Sequence, residues 1–306
     1  MGIKIIVFVW FICFFYNTDS SASETYFIIG FPEDNLANDW RAAQMNEIER
    51  ALSQHQNVRF LKADAQGSVA KNILDIEAMV AKGAQLLFLG PKNPDAVAVI
   101  AARLRQQGIY IVLLTRTLNT DDFDVYISPN DFRIGLEAAV FLGEHMQGKG
   151  RILMLEGIPT TTTAINRKNG FMQGLQSFPA IETVSRVANY KRAEAILSVE
   201  NALLDGIQFD AIYAHNDAMA AGARLALKKA NINPAAIPTV GIDYLPETRT
   251  AIIRGEQLAS FTYPTCGKAG VKAALELLNG RVVERHIEVP SQLVTKANVA
   301  NVDTVY

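Results

Sequence analysis

From Tyr26 onward, short apolar runs alternate with longer stretches whose apolar positions recur every three or four residues. Tyr26–Ile29 reads as a strand, Asp39–Gln54 as a helix and Val58–Leu61 as a second strand. The helix predicted over Ser68–Lys82 carries Ile73, Ile76, Met79 and Val80 on one face. Strand Leu86–Leu89, helix Pro94–Gln107 and strand Ile109–Leu114 follow. Unbroken apolar strands separated by helices predict a parallel sheet joined by right-handed crossovers.

The series then repeats. Helices are predicted over Asp131–Met146, Thr162–Ser177, Arg192–Leu204, Asp217–Lys229 and Pro246–Arg254. Strands fall at Ile152–Leu155, Val184–Val187, Ala211–Tyr213, Thr239–Ile242 and Leu258–Thr262. Two similar series predict an α/β protein of two lobes. One more helix, Thr265–Leu278, is surplus to the second series and free to pack back on the first. A last strand lies near Ile287–Val289. The chain then crosses between lobes near Ser128-Pro129, near Tyr263-Pro264 and near Pro290, at strand ends, as hinge segments do. The first lobe is expected from 23–128 and 264–289, the second from 129–263 and 290–306.

Residues 1–22 stand apart. Lys4 precedes the apolar run Ile5–Phe15, too short to span a bilayer comfortably, and small polar residues follow. This is the pattern of a secretory signal with cleavage after Ala22; an uncleaved anchor is the alternative. The bulky Trp10-Phe-Ile before Cys13 does not suit a lipoprotein cleavage site. Beyond the leader only Cys266 remains, so no internal disulfide is expected, and an exported protein held together by its core suits a periplasm. The net charge of -2 over 306 residues gives no support for a nucleic-acid partner.

Enzyme chemistry finds little here. There is no G-x-S-x-G elbow, Walker loop or G-x-G-x-x-G. His55, His145, His215 and His286 lack metal-ligand spacing, so neither a metal nor a cofactor is expected. The informative residues follow the strands. Ligands in open α/β sheets bind outside the carboxyl ends of strands, and those positions carry Trp40 and Arg41, Arg116, Arg167, Tyr190, Asn216, Asp243 and Tyr263. Guanidiniums, amides and carboxylates make directed bonds to hydroxyls, and aromatic rings cover the C–H face of a sugar. The same set suits a small carboxylate or phosphate. Each residue also has an ordinary role open to it: Trp40, Tyr190 and Tyr263 in packing, Arg116 and Arg167 on the surface, Asn216 and Asp243 as caps. The Thr160–Thr163 run reads as a polar loop and N-cap.

Five segments resemble, in order and spacing, the periplasmic sugar-binding proteins of ABC transporters, of the ribose- and galactofuranose-binding kind. They are Trp40-Arg-Ala-Ala43, Leu114-Thr-Arg116, Ala164-Ile-Asn-Arg-Lys-Asn-Gly-Phe171, Tyr213-Ala-His-Asn-Asp217 and Gly241-Ile-Asp243. The likeness runs from about Tyr26 to Val294. It implies two Rossmann-like lobes with parallel sheets flanked by helices, joined by a three-strand hinge: the type I periplasmic binding protein fold. It further implies that Trp40 stacks on a ligand, that Arg41, Arg116 and Arg167 bind its oxygens, and that Asn216 and Asp243 complete the set. Tyr190 falls where the family has an aromatic, and Tyr263 where the ribose type has Gln. Thr115 stands in place of the family's Asp before Arg116, and Gly90 in place of an Asn. Three Arg with one carboxylate fewer predict a more cationic pocket, with room for an acidic or phosphorylated sugar. The expected protein is a monomeric, non-catalytic periplasmic binding protein. Its small-molecule ligand is a sugar or sugar derivative, and its partner is a membrane permease of an ABC transporter or, alternatively, a membrane sensor kinase or chemoreceptor.

Overall fold

The computed structural model describes residues 26–305; the expected leader over 1–22, its cleavage after Ala22 and the alternative of an anchor lie outside the described residues. The first half supplies β1 (Phe27–Glu33), α1 (Asp39–Leu52), β2 (Val58–Asp64), α2 (Val69–Ala81), β3 (Leu86–Leu89), α3 (Pro94–Gln106), β4 (Tyr110–Leu114) and β5 (Val125–Ser128). The second half runs α4 (Asp131–His145), β6 (Lys149–Glu156), α5 (Thr162–Gly174), β7 (Ala180–Val187), α6 (Arg192–Leu204), β8 (Ala211–Ala214), α7 (Asp217–Lys229), β9 (Thr239–Asp243), α8 (Pro246–Ile253) and β10 (Ala259–Thr262). The tail adds α9 (Gly267–Leu278), β11 (His286–Glu288) and β12 (Leu293–Thr295).

These strands form two sheets, ordered β11-β5-β4-β3-β1-β2 and β12-β10-β9-β8-β6-β7. Every pairing is parallel except that of β12 with β10. The chain leaves the first sheet after Ser128, returns to it for β11, and ends in the second. Each sheet carries an apolar layer on both faces, which is why its central strands read as unbroken hydrophobic runs. Helix α9 packs on the first sheet, with Val271, Ala273, Ala274 and Leu277 among Ile29, Ile48, Phe88 and Leu114.

Helix starts follow the sequence closely because side chains satisfy their orphan amides. Asn38, Ser68, Asn93, Asn130, Thr161 and Asn216 each accept a hydrogen bond three residues on. Strands depart more. Strands β5 and β12 were not expected, being short and completed only by neighbours distant in sequence. Strand β1 runs on past the expected end at Ile29 to Glu33, through Gly30 and Pro32. Its full-length pairing with β2 carries it past them, from Phe27 opposite Val58 to Glu33 opposite Asp64. No helix among the described residues is long and apolar enough to cross a membrane.

Helices α4 and α5 are locked face to face by glycine. A Cβ on Gly170 would lie 1.9 Å from the Phe132 carbonyl oxygen, and one on Gly135 2.2 Å from that of Arg167. Backbone, not a flexible side chain, occupies both places. Gly170→Ala is therefore expected to cost about 1–3 kcal/mol, the usual penalty of overpacking. Urea unfolding should show a lower midpoint with an unchanged slope.

Candidate functional site

A cavity of about 670 Å³ lies between the two sheets, lined by residues at the carboxyl ends of strands from both. All eight residues singled out in the sequence line it: Trp40, Arg41 and Arg116 from the first half, and Arg167, Tyr190, Asn216, Asp243 and Tyr263 from the second. Asn38, Thr115 and Asn189 do so too.

Four of these side chains form a row of ring and guanidinium contacts that crosses from one lobe to the other. The Arg41 guanidinium lies 5.1 Å from the Trp40 ring centroid, Trp40 lies 5.6 Å from Tyr263, and the Arg167 guanidinium lies 4.3 Å from Tyr263. Trp40 belongs to α1 yet packs into the second lobe's core beside Ile134 and Phe261, and its Nε1 donates to the Tyr263 carbonyl at 2.9 Å. It is thus both a core residue and a cavity wall. Arg167, 2 % exposed, donates Nε to Asp131 Oδ1 at 2.8 Å and Nη1 to the His215 carbonyl. The Tyr263 hydroxyl donates to Asp131 Oδ2 at 3.1 Å.

Each of the three arginines is met by a carboxyl group, while Lys92, Lys191 and Arg192 add further positive charge to the lining. Arg116 Nη1 meets Asp34 Oδ2 at 3.1 Å, Arg167 meets Asp131, and Arg41 lies 3.7 Å from Glu33. Asp243 is a fourth carboxyl beside three guanidiniums. The carboxylate missing at Thr115 is therefore answered from another strand. Burial works against the charge on Asp34, but Arg116, Glu33 and Arg41 hold its carboxyl below the usual range. Burial pushes the Glu33 carboxyl well above that range, against the pull of Arg41. It does the same to Asp243, with Arg167 opposing. Burial also opposes the charge on Arg116, and Asp34 more than offsets it. Gly90, in place of an Asn, leaves room for Arg41, whose Nη1 would lie 3.1 Å from a Cβ there.

The backbone is strained where it lines the cavity. Thr115, Asn189, Tyr190 and Asp243 have φ of 62°, 49°, 61° and 122°, each costing on the order of 1–3 kcal/mol unless its surroundings hold it. Thr115 is held by its amide on the Ile127 carbonyl at 2.8 Å and its hydroxyl on the Leu114 carbonyl at 2.7 Å. Asp217 does not face the cavity but sets its shape. Its carboxylate accepts from Gln257 Nε2 at 2.8 Å, Ser260 Oγ at 2.6 Å and the Tyr244 amide at 2.7 Å, pinning the turn that presents Asp243. Asn216 accepts from the Met219 amide at 3.0 Å, so it caps α7 as well as lining the cavity.

The Thr160–Thr163 run does more than cap. Thr161 caps α5, while the other three reach the first lobe. Thr160 donates to the Lys92 carbonyl at 2.9 Å, Thr162 Oγ1 accepts from the Thr117 amide at 3.1 Å, and Thr163 donates to the Thr115 carbonyl at 3.0 Å. Sequence reasoning passed over Asp34, Asp131 and Lys92. The acidic pair Glu33-Asp34 at the end of an apolar run was the available signal for Asp34; Asp131 read only as a helix start. His215 is fully buried, with Nδ1 accepting from the Gly157 amide at 3.2 Å, a packed histidine as its alternating position suggested. Among the described residues there is no cluster of three or more His, Cys, Asp or Glu suited to a metal.

Two lobes, a cleft at their strand ends and a polar, aromatic lining define a ligand-binding protein. The chain belongs to the periplasmic binding protein family, whose domain model matches residues 29–281. It is 31 % identical over 246 residues to a putative rhizopine-binding protein of Rhizobium meliloti, covering 78 % of this chain and 80 % of that one. It is 28 % identical to the ribose import binding protein of Haemophilus influenzae, covering 76 % and 80 %. Among solved structures, the fructose-binding periplasmic domain of a hybrid two-component system superposes with a TM-score of 0.85 at 26 % identity, covering 90 % and 92 %. A Bacillus halodurans transporter solute-binding protein with bound myo-inositol gives 0.86 at 24 %, covering 91 % and 98 %, a likeness of fold.

Burial, seconded by Arg167, holds the His215 imidazole well below its ordinary pKa, so the folded protein keeps it neutral. The unfolded chain takes up that proton below about pH 6.5. Acidification therefore removes stability, by about 1.4 kcal/mol per pH unit below that point. Urea unfolding at pH 7 and pH 5 should show a larger loss for the wild type than for His215→Gln.

Proposed function

We propose that the protein captures a neutral sugar or related cyclic polyol in the cleft between its lobes and presents the closed form to the permease of an ABC importer. The observation that carries this reading is the convergence of side chains from both lobes on one cavity, where neither set is complete alone. A ligand that touches both halves stabilises closure in proportion to its preference for the closed state. The pairing of Arg116 with Asp34 and of Arg167 with Asp131 supports a neutral ligand. A bound anion would compete with carboxylates already in place. The volume lies within the range of about 300–1,000 Å³ usual for small-molecule sites. The relatives' names, which speak of ribose and rhizopine, support the sugar class. Such a protein works in the periplasm, as a monomer without catalysis, cofactor or metal.

A second reading has one observation in its favour, the likeness to a two-component system's fructose-binding domain. On that reading the closed form is presented to a membrane sensor kinase. Deleting the gene then changes transcription in response to the sugar but leaves its uptake intact; loss of uptake supports the importer.

A thermal-shift panel of D-ribose, D-fructose, D-galactose, xylitol, myo-inositol, D-glucuronate and D-glucose 6-phosphate tests the ligand class. A neutral member should raise the melting temperature by mass action, and the charged members should not. From residue 23 onward Trp40 is the sole tryptophan, so its fluorescence reports occupancy directly. Arg116→Ala and Asn216→Ala should each weaken binding tenfold to a hundredfold, on the order of 1.5–3 kcal/mol. Asn216→Ala should also cost about 1 kcal/mol of stability as a lost cap. Unchanged affinity in both variants rejects the site.

A further inference from the structure

We propose that Gln44 is a positioning residue of the binding site: it keeps the Arg41 guanidinium aimed into the cleft by tying it to the backbone at Thr265, where the chain crosses between the lobes. The inference rests on the reading above, in which Arg41 meets an oxygen of the sugar, and names the residue that readies it.

Gln44 belongs to α1, is fully buried and does not line the cavity. Its Oε1 accepts from Arg41 Nη1 at 3.0 Å, and its Nε2 donates to the Thr265 carbonyl. The bond to Gln44 is the shortest polar contact of the guanidinium: Thr115 Oγ1 lies 3.5 Å from the same nitrogen and Glu33 Oε2 3.7 Å. Nε and Nη2 of Arg41 make no hydrogen bond or ion pair among the described residues, yet neither is sealed from solvent, so both are left to the cavity that Arg41 lines.

The chemistry calls for an amide. A guanidinium only donates and a carbonyl only accepts, so the side chain between them must do both. Glutamate would turn an oxygen on the Thr265 carbonyl, and an apolar side chain would meet neither group. Trp40, Gln44 and Glu47 fall on one face of α1, and all three bond the stretch from Tyr263 to Lys268. Trp40 holds the Tyr263 carbonyl, and Glu47 the Thr265 hydroxyl and the Lys268 amide. The helix is thus fastened to the crossing on either side of Gln44, and of the three only Gln44 also hydrogen-bonds a guanidinium of the cavity. A free guanidinium loses rotamer freedom when a ligand fixes it, whereas one already held gives its bond at lower cost.

The test uses the neutral panel member that binds best, titrated by calorimetry into wild type, Arg41→Ala, Gln44→Met and the double variant. Methionine is unbranched like glutamine and fills the same space without its donor or acceptor. Arg41→Ala should lose about tenfold or more in affinity. Gln44→Met should lose about fivefold or more by itself and less than about twofold once Arg41 is gone, while its urea midpoint falls in both backgrounds. A merely structural role for Gln44 would multiply the two losses of affinity, overturning the proposal. A loss below fivefold in Gln44→Met also overturns it, while sugar binding itself stands. A loss below tenfold in Arg41→Ala removes Arg41 from the ligand contacts and the proposal with it, leaving the rest of the site. Wild-type binding to no member of the panel overturns both readings. Should Gln44→Met not fold, the same cycle is run with Gln44→Asn, one methylene too short to reach both partners, and the same outcomes decide.

Discussion

A guanidinium almost closed off from water requires a counter-charge, because the cost of burying it alone is several kcal/mol. Arg167 meets that requirement through Asp131, and the position of the pair governs much of the site. Both residues belong to the helices that glycine brings together, α4 and α5. Tyr263, just past β10, rests against both, its hydroxyl on Asp131 and its ring against Arg167. Tyr263 in turn receives Trp40 from the first lobe. One buried ion pair thus fixes the second lobe's wall, the crossing strand and the aromatic that arrives from across the cleft.

Around that pair the cavity is built from backbone ends. Parallel sheets bring all their strand termini to one edge, and the turns there are short enough to hold unfavourable φ angles. Thr115 and Asp243 are kept in them by hydrogen bonds from other strands and from Asp217. The lobes also touch directly, through Thr160, Thr162 and Thr163 on carbonyls and amides of the first lobe. These contacts join polar groups that water would satisfy equally well on opening. They hold the lobes in register at little net cost, and a ligand bridging both walls supplies the bias toward closure.

The electrostatics show why a charge in the sequence does not reveal its partner. Three arginines close to strand ends read as a cationic pocket, because the acids that answer them lie elsewhere in sequence. Asp34 is 82 residues from Arg116, and Asp131 is 36 from Arg167. In space each pair is in contact. Guanidiniums paired with carboxyls in one wall favour groups that both donate and accept, which is the chemistry of a hydroxyl.

The sequence by itself determined the alternation of strands and helices, the doubling of the series and nearly every helix start. Those features rest on local periodicity and on capping side chains a few residues away. It also named eight cavity residues, since a polar or aromatic side chain just past an apolar strand has one common destination in a parallel sheet. Only the tertiary structure decided the short strands β5 and β12, the run of β1 past Gly30 and Pro32, and the partners of the three arginines. Each depends on contacts between segments far apart in the chain, and such contacts leave no periodic trace. The pairing of Asp34 belongs to this second kind: a residue two places beyond a proline has no fixed direction until β2 pairs with its strand and Arg116 closes on its carboxylate.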